Sequence, residues 1–356
     1  MSAIKILAGH KAYRHIQQNG LSANDIAAVF GASGAAKWLT IYGLDRAVFD
    51  RFLATASHPI DLFGTSVGAF KLAACAQDNP GDALLALANA YIGQDYVGKE
   101  TSEQVVIETK KILDAFLSPQ AVSEILTSSR FNYQCGAVLT QANLASPSLT
   151  RQKLAMVKGF GQSLLGKQWQ QNLFERVIFH APQAAHSFDG YDGYPTQRLP
   201  LSTTNFRQAI LSSGSIPVVM PGVDAITDAP AGMYRDGGLL DYHAVPSNVS
   251  KIDHGLVLYP HFYSYLKEGW FDKFWPWRRV SAAQLDNTVL IAPSESFVAS
   301  LPGGRIPERQ DFYRFRHDDN ERVRRWTQVR DQSLVLGEEF LAAVQTGDIA
   351  RLVQPI

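Results

Sequence analysis

Short apolar runs that end at a glycine alternate with longer helical patterns through the first half of the chain. The two clearest runs cover residues 26–30 and 60–63, and Gly31 and Gly64 follow them. A short apolar run bounded in this way is typical of a strand buried on both faces, and strands separated by helices pair in parallel. The sequence therefore predicts an α/β fold with a central, mostly parallel sheet.

The same patterns place most of the remaining elements. Apolar and β-branched residues predict further strands at 4–7, 135–140, 176–180, 256–259 and 288–291. Helical patterns cover residues 38–53, 103–116, 119–126, 207–212 and 321–344. Residues 181–200 are rich in glycine, proline, tyrosine and aspartate, which indicates a long surface loop.

The segment at 64–68 reads Gly-Thr-Ser-Val-Gly and joins a short strand to a helix of small residues. This pattern is typical of a strained elbow that exposes a nucleophile, here Ser66, with Gly64 and Gly68 allowing the neighbouring backbone to approach closely. The N-terminus of the following helix favours the negative charge that develops during attack. A glycine-rich turn with an inert serine is the alternative.

A second glycine-containing loop, Gly-Ala-Ser-Gly-Ala-Ala-Lys, occupies residues 31–37. Its small side chains let an acyl group approach the backbone, and the start of the next helix adds N–H groups that have no helical partner. We therefore expect an oxyanion hole in this loop. Its spacing differs from that of a nucleotide phosphate loop, in which a serine or threonine would replace Trp38.

A serine hydroxyl needs a group that removes its proton. Asp236 is a candidate, because Gly237 and Gly238 let the backbone crowd a reaction centre and the leucines that follow favour a raised carboxyl pKa. An ordinary Asp-Gly turn between strands fits the same residues. None of the nine histidines lies in a distinctive sequence setting.

Taken in order, these segments resemble the patatin-like phospholipases. The likeness includes residues 33–43, 61–69, 209–223 and 234–239, and it extends over residues 26–260. The resemblance implies a three-layer α/β/α sandwich and a Ser–Asp dyad that works without histidine. It makes Ser66 the nucleophile and Asp236 its partner.

The same resemblance assigns the oxyanion hole to the backbone at Gly34, Ala35 and Ala36. Since alanine avoids positive φ, Gly34 is the position expected to supply that geometry if a donor needs it. Lys37 stands where the family often has a basic residue, although a solvated charge at a helix start fits equally well. Trp38 replaces a residue that is usually glycine, so we expect it to contact substrate and to narrow or reshape the acyl site.

The resemblance also suggests a division of the chain. Residues 1–25 would be an N-terminal strand–helix addition, residues 26–260 the catalytic domain, and residues 261–356 a C-terminal extension packed on the same domain. The function implied is a lipid acyl hydrolase of the phospholipase A or carboxylesterase type, which forms an acyl-enzyme on Ser66.

Two other functions stay open at this stage. A Ser-His-Asp hydrolase or acyltransferase would use Ser66 with a histidine such as His243, His254 or His317. A catalytically silent relative would bind lipid without cleaving it.

Composition limits the partners of the chain. Its 356 residues include 46% apolar residues and equal numbers, 33 each, of basic and acidic side chains, so it is a globular chain with no overall field that favours nucleic acid. Two cysteines without metal-ligand spacing and the absence of an N-terminal signal pattern indicate a cytoplasmic protein. We expect no metal or cofactor, and no ordered run of carboxylates suggests calcium.

Aromatic and basic residues are interleaved in the segment 259–279, which includes Trp270, Trp275 and Trp277. Tryptophan with nearby lysine and arginine suits the interface of a bilayer, so this segment is a candidate for peripheral membrane contact. Packing of the same rings on the protein core is the alternative.

Overall fold

A ten-stranded sheet forms the centre of the protein in the computed structural model, which describes residues 2–96, 101–146, 148–184, 187–252 and 254–356. The strands are β1 (Ile4–Ala8), β2 (Ile26–Gly31), β3 (Ile60–Thr65), β4 (Phe131–Thr140), β5 (Phe174–His180), β6 (Thr196–Pro200), β7 (Met233–Asp236), β8 (Leu256–Pro260), β9 (Thr288–Pro293) and β10 (Val353–Pro355).

The order across the sheet is β10-β1-β9-β8-β2-β3-β4-β5-β6, and β7 pairs with β4 beside this path. The five central strands, from β9 to β4, are parallel. Antiparallel strands flank them on both sides, because β1 pairs antiparallel with β9 and both β5 and β7 pair antiparallel with β4. Helices flank the sheet. The predicted α/β class with a mostly parallel central sheet is confirmed.

The helices are α1 (His10–Asn19), α2 (Tyr42–Ala47), α3 (Val67–Cys75), α4 (Pro80–Ile92), α5 (Ser102–Phe116), α6 (Pro119–Thr127), α7 (Leu149–Leu165), α8 (Phe206–Ser213), α9 (Pro246–Val249), α10 (Glu295–Ser300), α11 (Asp311–Arg314), α12 (Asp319–Gln332), α13 (Leu334–Gln345) and α14 (Ile349–Leu352). Helices α4 and α7 have no counterpart among the predicted elements. The signal for α4 is Pro80, because proline suits the first turn of a helix.

Three other predicted elements differ from the structure. The helix expected at 38–53 is segmented into a 3₁₀ turn (Ala35–Ile41), α2, a π turn (Val48–Phe52) and a final 3₁₀ turn (Leu53–Thr55). The loop expected at 181–200 ends in β6, an edge strand with no alternation of burial to reveal it. The helix expected at 321–344 is two helices divided at Ser333, whose hydroxyl accepts a hydrogen bond from the Gly43 amide at 2.8 Å.

Both ends of the chain contribute strands to this one sheet. β1 lies between β9 and β10, so residues from 1–25 and from 261–356 pair with each other at one side of the sheet. The division of the chain at residues 25 and 260 stays a prediction.

A buried ion pair holds α3, the helix that follows β3, against α2. The Lys71 ammonium donates to both carboxylate oxygens of Asp45 at 2.7 and 2.9 Å, and the two side chains are 1% and 0% exposed. Burial by itself raises the pKa of Asp45 and the Lys71 charge opposes that rise. Each charge therefore depends on the other.

We expect Lys71→Met to lower the free energy of unfolding by about 3–5 kcal/mol, because it leaves Asp45 charged and buried without a partner. The double variant Lys71→Met/Asp45→Leu should recover part of this loss. Urea denaturation of the three proteins measures the difference. The exposed pair Lys11–Asp286 is a matched control, and Lys11→Met should cost less than about 1 kcal/mol. A cost for Lys71→Met as small as that of the control would contradict the assignment.

Candidate active site

The turn between β3 and α3 holds Ser66 in a strained conformation. Its φ is 54° and its ψ is −131°, a region that non-glycine residues rarely occupy. The Ser66 amide is fixed by hydrogen bonds to the carbonyl and to the hydroxyl oxygen of Ser213, at 3.1 and 3.0 Å. Such strain costs about 1–3 kcal/mol and persists where the surroundings determine the conformation.

The glycines on either side of Ser66 have the steric role that the sequence predicts. A Cβ atom added to Gly64 would lie 2.6 Å from the backbone of Gly68, and one added to Gly68 would lie 2.2 Å from the carbonyl oxygen of Gly31. No side chain fits at these distances. The turn can therefore pack this closely against the end of β2 only if residues 64 and 68 are glycine.

Strand β4 brings the turn and the end of β7 together. Its residue Gly136 pairs with Thr65 of β3, and the next residue, Ala137, pairs with Asp236 of β7. β3 and β7 thus occupy successive parts of the same edge of β4 and run towards each other. A Cβ atom on Gly237 would lie 2.2 Å from the Gly136 carbonyl oxygen, so this approach also requires glycine.

Ser66 and Asp236 meet at this junction, although they are 170 positions apart in the sequence. The Ser66 Oγ donates a hydrogen bond to Asp236 Oδ2 at 2.8 Å. The other carboxylate oxygen, Oδ1, accepts one from the Gly238 amide at 2.7 Å. Both side chains are nearly buried, at 8% and 7% exposure. The carboxylate is thereby oriented towards the hydroxyl that it would deprotonate.

Burial changes the acidity of this carboxyl group. Desolvation raises the pKa of Asp236 to about 7, despite the opposing effects of the bonds from Gly238 and Ser66 and of the Lys273 charge. An aspartate with that pKa exchanges its proton near neutral pH. It can therefore both accept a proton and return it.

The loop at 31–37 lies next to Ser66, with Gly34 and Ala35 in the wall of the same cavity. Within the described residues, no hydrogen-bond acceptor pairs with the amides of Gly34, Ala35 or Ala36. The amides of Gly34 and Ala35 can thus donate hydrogen bonds to an oxyanion in the cavity. Ala36 is fully buried and does not line the cavity.

The conformation of this loop corrects one expectation. Positive φ falls on Ala35, at 50°, whereas Gly34 is extended with a φ of 171°. Gly34 is required for another reason, since a Cβ atom there would lie 2.5 Å from the ring of Phe262. The strained donor position is therefore occupied by alanine.

Ser66 and Asp236 open into a cavity of about 630 Å³. Its lining is mostly apolar and comes from the glycine loop, from the segment after α8, from α7 and from the 3₁₀ turns after Asp236 and at Trp270–Phe274. The apolar side chains are Met156, Val157, Ile216, Pro217, Val218, Val219, Leu239, Tyr242 and Trp270. An acyl chain fits such a surface.

Of the two residues expected to contact substrate, only one lines the cavity. Lys37 lines the cavity, as expected. Trp38 does not line it: its side chain is fully buried and packs edge-on against Tyr42 and Tyr91, with ring centroids 6.4 and 6.1 Å apart. The expectation that Trp38 narrows the acyl site is therefore wrong, because the 3₁₀ turn directs this side chain into the core.

Sequence reasoning missed several cavity residues, above all Lys273. This lysine comes from the aromatic segment 259–279, and its ammonium lies 4.5 Å from the ring centroid of Tyr242 and 5.2 Å from that of Trp270. The alternation of basic and aromatic residues was the available signal. This alternation predicts either membrane contact or packing on the core, and in the structure the segment also forms one wall of the cavity.

The three histidines considered as alternative bases lie elsewhere. His254 and His317 are exposed, and His243 is buried, with its Nδ1 accepting the Lys267 amide at 2.9 Å. Among the described residues, no histidine lines the cavity that contains Ser66. The described chain also contains no group of three metal-ligating side chains and no helix long and apolar enough to cross a bilayer.

Comparisons with known proteins give only distant similarity. No protein-family model and no curated protein matches the chain significantly. Human GIVD cytosolic phospholipase A2 is similar at 10% identity with a TM-score of 0.36, over 96% of this chain and 63% of that one. VipD from Legionella pneumophila is similar at 12% identity with a TM-score of 0.34, over 95% and 70% of the two chains.

The chain thus spans less than two-thirds of the human protein. At these identities and TM-scores, neither likeness indicates a function. The chemistry has to be inferred from the site itself.

We expect Asp236→Asn to raise the melting temperature at about pH 8. The native carboxyl has a pKa near 7 and the unfolded one near 4, so ionisation favours the unfolded state once the pH exceeds about 4, and this cost reaches its full size above about 7. The asparagine variant lacks this cost. Its advantage should shrink as the pH falls towards about 4.

Scanning calorimetry of both proteins across this pH range tests the prediction. Asp272→Asn is a control, because its carboxylate is partly exposed and bonded to Arg278. An Asp236→Asn variant that is equally destabilised at every pH would contradict the raised pKa.

Proposed function

We propose that this protein is a serine hydrolase that cleaves carboxylic esters of lipid-like substrates. The observation that supports this most directly is the 2.8 Å hydrogen bond from Ser66 Oγ to the buried Asp236 carboxylate. It joins a hydroxyl on a strained turn to a base in the wall of an apolar cavity. The strain at Ser66, the burial of both side chains and the amides of Gly34 and Ala35 nearby all support a catalytic role for this pairing.

In the first half of the reaction, Ser66 Oγ attacks the ester carbonyl carbon while Asp236 takes the hydroxyl proton. The carbonyl oxygen becomes an oxyanion, and the amides of Gly34 and Ala35 are the available donors for it. The tetrahedral intermediate then collapses to an acyl-enzyme. Asp236 returns its proton to the departing alcohol, so the carboxylate is restored.

In the second half, water attacks the acyl carbon and loses a proton to Asp236. The intermediate collapses, the bond to Ser66 Oγ breaks, and Asp236 reprotonates the serine. The same carboxyl group thus acts as base and acid in both halves, which suits a pKa of about 7. The N-terminus of α3 adds a favourable dipole at Ser66.

The shape and lining of the cavity support a lipid-like substrate. Its 630 Å³ and its mainly apolar wall accommodate an acyl chain better than a polar acyl group. Both cysteines, Cys75 and Cys135, are buried free thiols, which fits the proposed cytoplasmic location. Phospholipid and neutral ester are both members of the proposed substrate class.

We expect Ser66→Ala and Asp236→Ala each to lower kcat/KM for a p-nitrophenyl ester by at least about a thousandfold, because each removes one half of a coupled pair. A fluorophosphonate probe should label Ser66 in the native protein. Labelling and ester hydrolysis, measured on the same preparations, test this prediction.

Controls separate the two alternatives. His254→Ala and His317→Ala should keep activity within about twofold, since both side chains are exposed and outside the cavity. Near-complete loss on replacing a histidine would favour a Ser-His-Asp enzyme. A native protein that neither takes the probe nor cleaves nitrophenyl esters or phospholipid vesicles would instead be a lipid-binding relative without catalysis.

We further propose that the rim of this cavity contacts a lipid surface. Helix α7 and the aromatic segment are packed together, with the Phe160 ring centroid 4.9 Å from that of Trp275. Val157 of α7 lines the cavity and is also 68% exposed, so the apolar wall continues onto the surface. Other exposed apolar residues of the two segments are Leu149, Leu154, Leu164, Leu165, Tyr265, Phe274 and Trp277.

Only part of the aromatic segment is available for such contact. Tyr259, Phe262 and Phe271 are buried, at 0%, 1% and 3% exposure. Packing on the core therefore accounts for these rings, whereas Trp277 at 69% exposure remains at the surface. A lipid surface would cover Trp277 and the exposed leucines of α7 together.

We expect the double variant Leu165→Ser/Trp277→Ser to bind phosphatidylcholine–phosphatidylglycerol vesicles about tenfold more weakly, because it removes two exposed apolar groups from the surface that α7 and the aromatic segment form. Co-sedimentation with vesicles measures the change. Ile107→Ser on α5 is a matched control, since Ile107 is 53% exposed and belongs neither to α7 nor to the aromatic segment. Equal vesicle binding by all three proteins would contradict the contact.

A further inference from the structure

Two lysines from distant parts of the chain line the same cavity as Ser66. Lys37 lies in the 3₁₀ turn that follows Gly34, and Lys273 lies in the 3₁₀ turn Trp270–Phe274. The lining between them is mainly apolar. The hydrolysis of an ester by Ser66 and Asp236 does not require either ammonium group.

Neither ammonium is neutralised by the described part of the protein. No carboxylate forms an ion pair or hydrogen bond with Lys37 or Lys273 there. The acidic groups that act on Lys37 from a distance are Glu308 and Asp311, and both already bind Arg314, at 2.6 and 3.0 Å. Lys273 lies over two aromatic rings, and the acidic groups that act on it from a distance are Asp236 and Glu308.

The charge of Lys37 also disfavours the charge of Lys273. Desolvation lowers the pKa of both side chains, that of Lys273 to about 8, and the Lys37 charge lowers the pKa of Lys273 further. A negatively charged group placed near both would offset desolvation and repulsion together. Cations arranged in this way bind anions more strongly than a single exposed lysine does.

We infer that Lys37 and Lys273 form a subsite for a phosphate or carboxylate group carried by an amphiphilic substrate. The apolar wall of the cavity binds the chain of that substrate, and the two ammonium groups bind its charged end. This inference rests on the proposed function, because it places the scissile ester between the two regions, at Ser66. It narrows the substrate class to anionic esters with an apolar chain.

Phosphate and carboxylate are both anions that a pair of lysines can bind. Lysine acts as a point charge and does not impose the planar two-bond geometry that arginine does. Arg309 and Lys153 also line the cavity. Direct comparison of a phosphate ligand with a carboxylate ligand therefore identifies the anion.

The test is calorimetric binding of octyl phosphate, octanoate, octanol and inorganic phosphate to the native protein. At least one octyl anion should bind about tenfold more tightly than octanol, as expected for charge-assisted hydrogen bonds. The better octyl anion identifies the group. Octyl phosphate should also exceed inorganic phosphate, since the chain contributes. Equal binding of octanol and both octyl anions would overturn the subsite, and so would equal binding of the two phosphates.

Substitutions locate the effect. Lys37→Met and Lys273→Met should each weaken binding of the preferred octyl anion by about tenfold relative to octanol. Lys158→Met is the matched control: this exposed lysine of α7 does not line the cavity, and its replacement should leave all four affinities unchanged. Native-like circular dichroism confirms that each variant folds. Loss of anion preference in the control alone would overturn the assignment.

The same proteins distinguish failure of this inference from failure of the proposed function. Fluorophosphonate labelling of Ser66 without any preference for octyl anions would overturn the subsite and leave the hydrolase proposal standing. Preferential binding of an octyl anion without labelling of Ser66 would overturn the hydrolase proposal and leave the anion-binding subsite standing. Selectivity adds a second measurement, because Lys273→Met should lower the ratio of kcat/KM for lysophosphatidic acid to that for monoacylglycerol about tenfold.

Discussion

The position of the site depends on the register of one strand. β4 offers Gly136 to β3 and the adjacent Ala137 to β7, so the ends of those two strands can only meet there. A shift of one residue in the pairing of β3 or β7 with β4 would direct the side chain at the end of the shifted strand to the opposite face of the sheet. The 2.8 Å contact between Ser66 and Asp236 is therefore a consequence of sheet pairing. The glycines at the junction permit the pairing by removing side chains that would collide.

Buried charges connect this junction to the edge of the sheet. Arg176 of β5 makes two hydrogen bonds to Asp241, at 2.8 and 2.9 Å, and two more to Asp192. The backbone carbonyl of Asp241 accepts the Thr65 hydroxyl at 2.6 Å, and the Ser33 hydroxyl lies 2.7 Å from that of Thr65. The guanidinium, the turn before Ser66 and the glycine loop thus share one network. Such a network is stable only when each buried charge is paired.

Sequence patterns located the parts of the site that depend on local geometry. Gly64 and Gly68 surround Ser66 because a tight turn tolerates little else, and the same argument identified Asp236 through its glycines. The apolar runs located the central strands because those strands are buried on both faces. These features reflect constraints within a few residues, which a single sequence records directly.

The features that sequence patterns did not locate depend on distant contacts. Lys273 reaches the cavity only because its turn packs on α7, and Trp38 turns into the core because Tyr42 and Tyr91 lie beneath it. β6 is recognisable only from its pairing with β5, since its burial does not alternate. Ala35 has a positive φ, a conformation that alanine rarely adopts and that its sequence therefore does not indicate. In each case the tertiary surroundings overrode the local signal.

The distribution of backbone strain supports the same site independently of any motif. Four non-glycine residues of the described chain have positive φ, and three of them, Ala35, Ser66 and Val218, line the cavity. Positive φ in a β-branched residue such as Val218 is especially unfavourable, and its amide is held by the Gln152 side chain at 2.8 Å. Strain of this kind persists only where the rest of the fold is stable enough to impose it. Together with the Asp236 carboxyl group, which burial keeps from full ionisation at neutral pH, this strain places several unfavourable features around Ser66. A core built only for stability would relax these features, so their retention in one cavity is best explained by chemistry there.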